Sequence, residues 1–333
     1  MIRKFILSLL TSLMILVLPM MSVRADAIEE AGFSIVTTPS SLQNSNNSYF
    51  DLKMQPEQAT TLEIGIKNTT NQEEAFKIAV NPALTSDNII IDYTFAGDGQ
   101  GGGAQPNLQI SQVVTLSTKL LTVPAQSQKN FTVQIKMPKT EFAGIMAGGI
   151  RVERVNDQEK GGITNQFAYV KGLVIRQNDQ VVIPDIQFKS VSAGTFHYQP
   201  AVMAKFSNPT HMNISQLKIT GTVINQKTQK TLVTKTIEDG SVAPNSTFNL
   251  ILRTEEKIPS GTYQLKVTAS TAQGLKWRWD ESFTIAKSVN PTSTAFNVQG
   301  HFSWWWILIA VMVVVIVGLC WWIVVIKRRK KRN

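Results

Sequence analysis

Histidine, cysteine and paired carboxylates are where chemistry would begin, and this chain holds few of them. His197, His211 and His301 are its only histidines and Cys320 its only cysteine. Nucleophilic catalysis needs a hydroxyl or thiol beside a base, and a zinc site needs imidazole, thiolate or carboxylate ligands at set spacings. No HExxH or GxSxG stretch supplies either. A glycosidase needs two carboxylates assembled in space; the adjacent pairs Glu73/Glu74 and Glu255/Glu256 fall in expected turns, where a charge is ordinarily solvated. Formally, Gly97, Gly99 and Gly102 spell G-x-G-x-x-G within "TFAGDGQGGGAQPN", Thr94 to Asn107. A dinucleotide fingerprint needs a helix after those glycines to receive the pyrophosphate, but Pro106 and a further strand follow, so the segment reads as a loop. Asp92 and Asp98 beside it are too few oxygens for Ca²⁺, which takes six to eight. No catalytic residue, cofactor or metal site is therefore expected. The remaining candidate is "LKWRWDESFTI", Leu275 to Ile285, where Trp277 and Trp279 stand two apart. They form either an exposed sugar-stacking platform or the inner face of a strand.

The elements around these residues are short runs rich in Val, Ile, Thr and aromatics, punctuated by Asn, Gly and Pro. "TLEIGIKN" (Thr61 to Asn68), "FTVQIKMP" (Phe131 to Pro138), "QLKITGTVIN" (Gln216 to Asn225) and "YQLKVTAS" (Tyr263 to Ser270) alternate apolar and polar residues, the pattern of half-buried antiparallel strands. The pattern also repeats. "IGIKNTTNQEEAFKIAV" around Asn68 matches "MAKFSNPTHMNISQLKI" around Asn208, and "VPAQSQKNFTVQI" from Val123 matches "VAPNSTFNLIL" from Val242. Each second motif then runs through a proline to a glycine, Gly144 or Gly261. "FAYVKGLVI" and "WRWDESFTI" share one face pattern: Phe167, Tyr169, Lys171, Leu173 and Ile175 against Trp277, Trp279, Glu281, Phe283 and Ile285. The expected architecture is all-β, two tandem immunoglobulin-like β-sandwich domains over 31–178 and 181–287, each closed by one of these strands. The turn "NDQEKGG" then joins a hairpin inside the first domain, and the tryptophan pair belongs to the core of the second.

The two ends read differently. Arg3 and Lys4, an apolar run from Phe5 to Leu18 and the small residues of "VRADA" make 1–25 a secretory signal peptide cleaved between Ala25 and Asp26, with Ala27 as the alternative. Residues 304–326, "WWWILIAVMVVVIVGLCWWIVVI", are long and apolar enough for one C-terminal transmembrane helix. Trp304, Trp305 and Trp306 on one side and Trp321 and Trp322 towards the other are placed as an aromatic belt. The basic tail 327–333, opening with Lys327, Arg328 and Arg329, keeps the C-terminus cytoplasmic and the body outside the cell membrane. Residues 288–303 form a short tether. Of 33 Lys and Arg, removing Arg3, Lys4, Arg24 and six in the tail leaves 24 against 23 Asp and Glu, so the formal +10 falls to about +1. The basic cluster is topological, and no nucleic-acid partner is expected. With Cys320 inside the span, the extracellular body of about 275 residues has no disulfide and is held by its cores.

"FSIVTTPSSLQNSNNSYFDLKMQPEQATTLEIGIKNTT" (Phe33 to Thr70), "NPALTSDNIIIDY" (Asn81 to Tyr93) and "FAGIMAGGI" (Phe142 to Ile150) together resemble the N-terminal domain of the WxL-interacting proteins of low-GC Gram-positive bacteria. "SVAPNSTFNLIL", "GTYQL" and "WRWDESFTI" resemble that family's second domain. Ala143 and Ala147 depart from the usual Asp and Leu of the family pattern, so no ligand contact is carried onto those positions. The resemblance implies that the first domain binds peptidoglycan, that the second binds host components, and that the chain associates with surface proteins bearing WxL domains. It points to a membrane-anchored binding scaffold at the cell surface, with no enzymatic activity. An adhesin acting mainly through the second domain is the alternative, and a cell-wall-modifying enzyme a more remote one. Sequence spacing names no ligand-binding residue, because sheet ligands are met by scattered side chains.

Overall fold

The computed structural model describes residues 31–94, 109–155 and 166–291, together with Met312, Trp321 and Trp322, which are helical and exposed. The expected signal peptide, most of the loop that holds Gly97–Gly102, most of the tether, most of the expected span and the basic tail lie outside the described residues. Among the described residues no helix is long and apolar enough to cross a membrane.

The strands follow the alternating runs. The first half holds β1 (Phe33–Thr37), β2 (Phe50–Lys53), β3 (Ala59–Asn68), β4 (Glu74–Pro82), β5 (Leu84–Thr85), β6 (Ile91–Asp92), the single turn α1 (Ile110–Val113), β7 (Val114–Leu116), β8 (Leu120–Val123), β9 (Gln128–Lys136), β10 (Met146–Arg154) and β11 (Ala168–Arg176). The second holds β12 (Gln187–Phe196), β13 (Gln199–Asn208), β14 (Ile214–Asn225), β15 (Thr231–Val242), β16 (Ser246–Arg253), β17 (Gly261–Thr271) and β18 (Lys276–Ile285). A sheet β1-β3-β9-β7 faces a sheet β2-β11-β10-β4-β8, and β12-β13-β16 faces β15-β14-β17-β18. Alternate residues of each pair turn inward and fill two separate apolar cores, one around Leu52, Ile64, Phe76 and Ile150, the other around Phe206, Leu250, Tyr263 and Leu265. Taking β1, β3, β4, β9, β10 and β11 as strands A, B, C, E, F and G gives the A-B-E and C-F-G sheets of an immunoglobulin sandwich. The second sandwich repeats that order with β12, β13, β14, β16, β17 and β18. The strands flanking "NDQEKGG", β10 and β11, pair antiparallel from Glu153↔Ala168 to Met146↔Ile175.

One duplicated polar device accompanies the duplicated strands. Asn68 and Asn208, both fully buried, end the B strands. Asn68 Nδ2 donates to the carbonyls of Gln72 (2.7 Å), Val123 (3.1 Å) and Pro124 (3.1 Å), while Oδ1 accepts from the Thr70 N–H (2.9 Å) and hydroxyl (2.8 Å). Asn208 Nδ2 donates to the carbonyls of Met212 (2.7 Å) and Ala243 (3.1 Å), and Oδ1 accepts from the Thr210 N–H (3.0 Å) and hydroxyl (2.6 Å). Each amide thereby ties the B–C turn to the start of the E strand. At the E-strand turn Gln126 and Asn245 both adopt φ 51°, and their N–H groups donate to Thr70 O and Thr210 O.

The two copies differ at their G strands. In the first, β2 runs parallel to β11 and covers its edge, from Phe50↔Leu173 to Lys53↔Arg176. In the second, nothing among the described residues pairs with the outer edge of β18. Trp277, Trp279 and Phe283 turn inward and pack against the second core but remain half-buried. The Trp279 ring lies 4.9 Å from that of Phe206, and Trp277 Nε1 donates to Asp185 Oδ1 at 3.0 Å. The inner-face expectation for the pair is thus met, with less burial than a core position. Glu281 shares their face, and the unbroken β17–β18 register excludes a bulge there. Trp279→Ala is expected to lower stability by about 2 kcal/mol, below the 3–5 kcal/mol of a fully buried tryptophan, as read from urea denaturation.

The sandwiches are joined by more than a linker. The β5–β6 hairpin projects from the first, and its tip residue Ile89 is fully buried in the second core at φ 56°. A β-branched residue in that backbone region is strained by roughly 1–3 kcal/mol, which burial of its side chain offsets. Ser241 N–H donates to Ile89 O (2.8 Å), Ile91 N–H to Ser241 Oγ (3.0 Å) and Ala243 N–H to Thr85 Oγ1 (3.0 Å). A second contact lies beside it, where Ile145 N–H donates to His211 O (2.7 Å) and the Phe142 and His211 rings stand 6.0 Å apart. Burial pushes the His211 imidazole below its ordinary pKa.

Candidate functional site

The family-like segments "YFDL", "NPALTSDNIIIDY" and "GGI" are far apart in sequence, and β2, β4 and β10 bring them to one sheet. In β10, Met146, Gly148, Ile150 and Val152 point into the core, so Ala147, Gly149, Arg151 and Glu153 face outward. On β11, Val170, Gly172, Val174 and Arg176 face outward with them, and Gly149 and Gly172 are direct cross-strand partners. Two adjacent glycines leave bare backbone on the outer face. Two tyrosines cover it: a Cβ on Gly149 would lie 2.9 Å from Tyr93 Cγ and 2.5 Å from Val170 Cγ1, and a Cβ on Gly172 would lie 3.2 Å from Tyr49 Cβ. Tyr93 follows β6 and Tyr49 precedes β2, so both rings are held by chain ends of paired strands.

Polar groups around the rings are mostly matched. Asn81, the outward neighbour of Gly149 on β4, is buried; its Nδ2 donates to Tyr93 O at 2.6 Å and fixes that backbone, while its Oδ1 has no hydrogen-bond partner. Arg151 pairs with Glu153 along β10. Arg176 Nη2 donates to Asp51 Oδ1 at 2.7 Å, and Asp51 Oδ2 accepts from Ser45 Oγ at 2.7 Å. Burial, and then the neighbouring Tyr49, push the Tyr93 phenol above its ordinary pKa, so it stays a neutral donor near pH 7. Tyr49 and Val170 are exposed and Tyr93 half-buried. The result is a face with two tyrosine side chains over paired glycines, a hydroxyl at the end of each, and Arg151 with Glu153 and Arg176 with Asp51 already paired.

The other candidates are dispersed. His197 lies in the β12–β13 turn against Phe196, with ring centroids 4.2 Å apart, and His211 lies between the sandwiches. Glu73, Glu255 and Glu256 are exposed. Asp92 Oδ1 accepts from the Thr94 N–H (2.8 Å) and hydroxyl (2.5 Å), a local turn contact. Among the described residues no three His, Cys, Asp or Glu are grouped as metal ligands would be. Ser215 and Lys218 stand at S-x-x-K spacing on β14, but Ser215 Oγ accepts from Asn213 Nδ2 at 2.8 Å and Lys218 Nζ pairs with Glu238 at 2.6 Å, both on exposed side chains. Of the expected membrane-anchor residues, Trp321 and Trp322 are helical and exposed, and the others lie outside the described residues. Sequence reading missed Tyr49 and Tyr93 as a pair. The available signal was that Tyr49 opens "YFDL" and Tyr93 closes "NPALTSDNIIIDY".

The family model described as WxL Interacting Protein, peptidoglycan binding domain, matches residues 33–154, and that described as WxL Interacting Protein, host binding domain, matches 158–293. The chain belongs to the WxL-interacting protein family. Within this WxL-interacting protein the two models meet between 154 and 158, whereas β11 hydrogen-bonds to β10 and β2 and so lies in the first sandwich. Tyr49, Tyr93, Asn81 and Gly149 all fall within the segment matched by the peptidoglycan-binding model.

A comparison with curated proteins finds no match. Solved structures with a similar strand arrangement include the CupB2 chaperone of Pseudomonas aeruginosa (12% identity, 69% of this chain and 96% of that one, TM-score 0.27). Others are the Salmonella enterica SafA pilin in complex with the SafB chaperone (12%, 76% and 97%, TM-score 0.29) and a PapD-like domain of human CEP192 (10%, 49% and 100%, TM-score 0.29). Likeness at that level transfers neither ligand nor partner to this WxL-interacting protein.

Proposed function

We propose that this protein is a binding scaffold of the cell surface, anchored by residues 304–326, whose first sandwich holds peptidoglycan and whose second meets host components. The observation that carries this reading is the tandem match to the peptidoglycan-binding and host-binding domain models of one family over 33–154 and 158–293. Our boundary between the sandwiches falls between 178 and 181, after β11 and before β12. The near-neutral extracellular charge and the dispersed titratable groups accord with recognition rather than catalysis. In this reading the protein assembles with WxL-domain surface proteins, and its signal peptide and basic tail set the topology: body outside, C-terminus in the cytoplasm.

The full chain, purified in detergent, is expected to sediment with isolated peptidoglycan and to capture a secreted WxL-domain protein at micromolar concentration and physiological salt. Failure of both sinks the reading while leaving the fold intact.

A further inference from the structure

We propose that Tyr49 and Tyr93, on the outer face of the first sandwich, form a stacking platform for the uncharged sugar rings of a glycan strand. This deepens the peptidoglycan reading above and rests on it, since it selects the polysaccharide part of that polymer over the stem peptide.

Three features of the face point to a sugar. First, sugar rings lay their C–H faces on aromatic rings and satisfy their hydroxyls at the edge, and tyrosine offers an apolar body with a polar tip. The Gly149–Gly172 pair lets both side chains approach the sheet, with Cβ and Cγ of Tyr93 over Gly149 and those of Tyr49 over Gly172, and with Tyr49 and Val170 exposed. Second, the charges bordering the rings are paired within the face, Arg151 with Glu153 and Arg176 with Asp51. A polyanion such as teichoic acid would call for surplus cations, and an uncharged ring does not. Third, Asn81 Oδ1 is a buried acceptor with no partner beside Tyr93. A buried unpaired amide oxygen is costly, and a sugar hydroxyl or acetamido N–H arriving at the ring edge supplies the missing donor once Tyr93 adjusts.

The competing role for the rings is cover for a glycine-rich stretch of sheet, which any bulky apolar side chain performs. Leucine separates the two, because it covers glycine and offers no aromatic face. The test uses the full chain in detergent with Tyr49→Leu and Tyr93→Leu, singly and together, and with Val170→Asp, which places an unpaired charge beside Tyr93 on the exposed face. The probes are isolated peptidoglycan, glycan strands stripped of stem peptides by an amidase and then amidated at the lactyl carboxylates this exposes so that they carry no charge, and free teichoic acid. The wild type is expected to bind the stripped strands. The double leucine variant is expected to melt as the wild type does, to keep its capture of the WxL-domain protein, and to bind the strands about tenfold more weakly or worse, a loss of about 1.4 kcal/mol; Val170→Asp is expected to weaken them as well. Undiminished strand binding by the folded variants overturns the assignment. So does a wild type that binds intact peptidoglycan but not stripped strands, or that binds only teichoic acid. A wild type that binds no peptidoglycan removes the functional reading itself.

Discussion

Gly144→Ala is expected to unseat the second sandwich from the first. Gly144 adopts φ +90°, and a Cβ there would lie 2.2 Å from the backbone oxygen of His211 in the other sandwich. That oxygen is the acceptor for Ile145 N–H, so neither atom can retreat without breaking the 2.7 Å hydrogen bond. Backbone strain of about 1–2 kcal/mol for alanine in this region adds to the lost bond at about 1 kcal/mol and to the displaced contact. The expected cost is about 3 kcal/mol, borne mainly by the joint and not by either core. Limited proteolysis within 177–186 should accelerate, and small-angle scattering should show a more extended particle. Unchanged cleavage and shape would show that the Ile89 hairpin alone sets the geometry.

The second large effect is expected from the duplicated asparagine. Asn208→Ala strips the Met212 carbonyl and the Thr210 N–H of a partner, and leaves the Ala243 carbonyl with only the Ser246 hydroxyl at 2.9 Å. Asn68→Ala does the same to Gln72, Val123 and Thr70. Buried groups left unpaired cost about 1–3 kcal/mol each, so each variant should lose about 3 kcal/mol, far more than an exposed asparagine would. Because the sites belong to separate cores, the double variant should lose close to the sum. Chemical denaturation reads both effects; a loss under about 1 kcal/mol at either site would mean that the turn recruits substitute partners.

The asparagine pair also shows how much was legible. Alternating runs marked the strands because a half-buried sheet imposes period two on its side chains. The repeat around Asn68 and Asn208 was visible because both turns need the same amide to tie them to the same distant strand. The closing-strand match between 167–175 and 277–285 held for the inward faces, yet it hid a difference in burial. Phe283 is half-buried where its counterpart Leu173 is fully buried, because nothing among the described residues covers the edge of β18, whereas β2 pairs with residues 173–176 of β11. A four-residue strand, "FDLK", carries too few positions for periodicity to reveal its parallel partner. Ile89 was equally silent, since the first of three consecutive isoleucines at a hairpin tip gives no sign that it enters another domain's core.

Composition and pattern were enough to specify two related all-β copies, because alternation and repeat are local or additive along the chain. Which residues meet across the sheets was decided by tertiary structure. Tyr49, Asn81, Tyr93 and Gly149 become neighbours only after β2, β11, β10 and β4 pair, and the sandwiches lock only after one hairpin finds the other core. Contacts between distant segments depend on register and on the absence of a Cβ at two glycines, and linear spacing encodes neither.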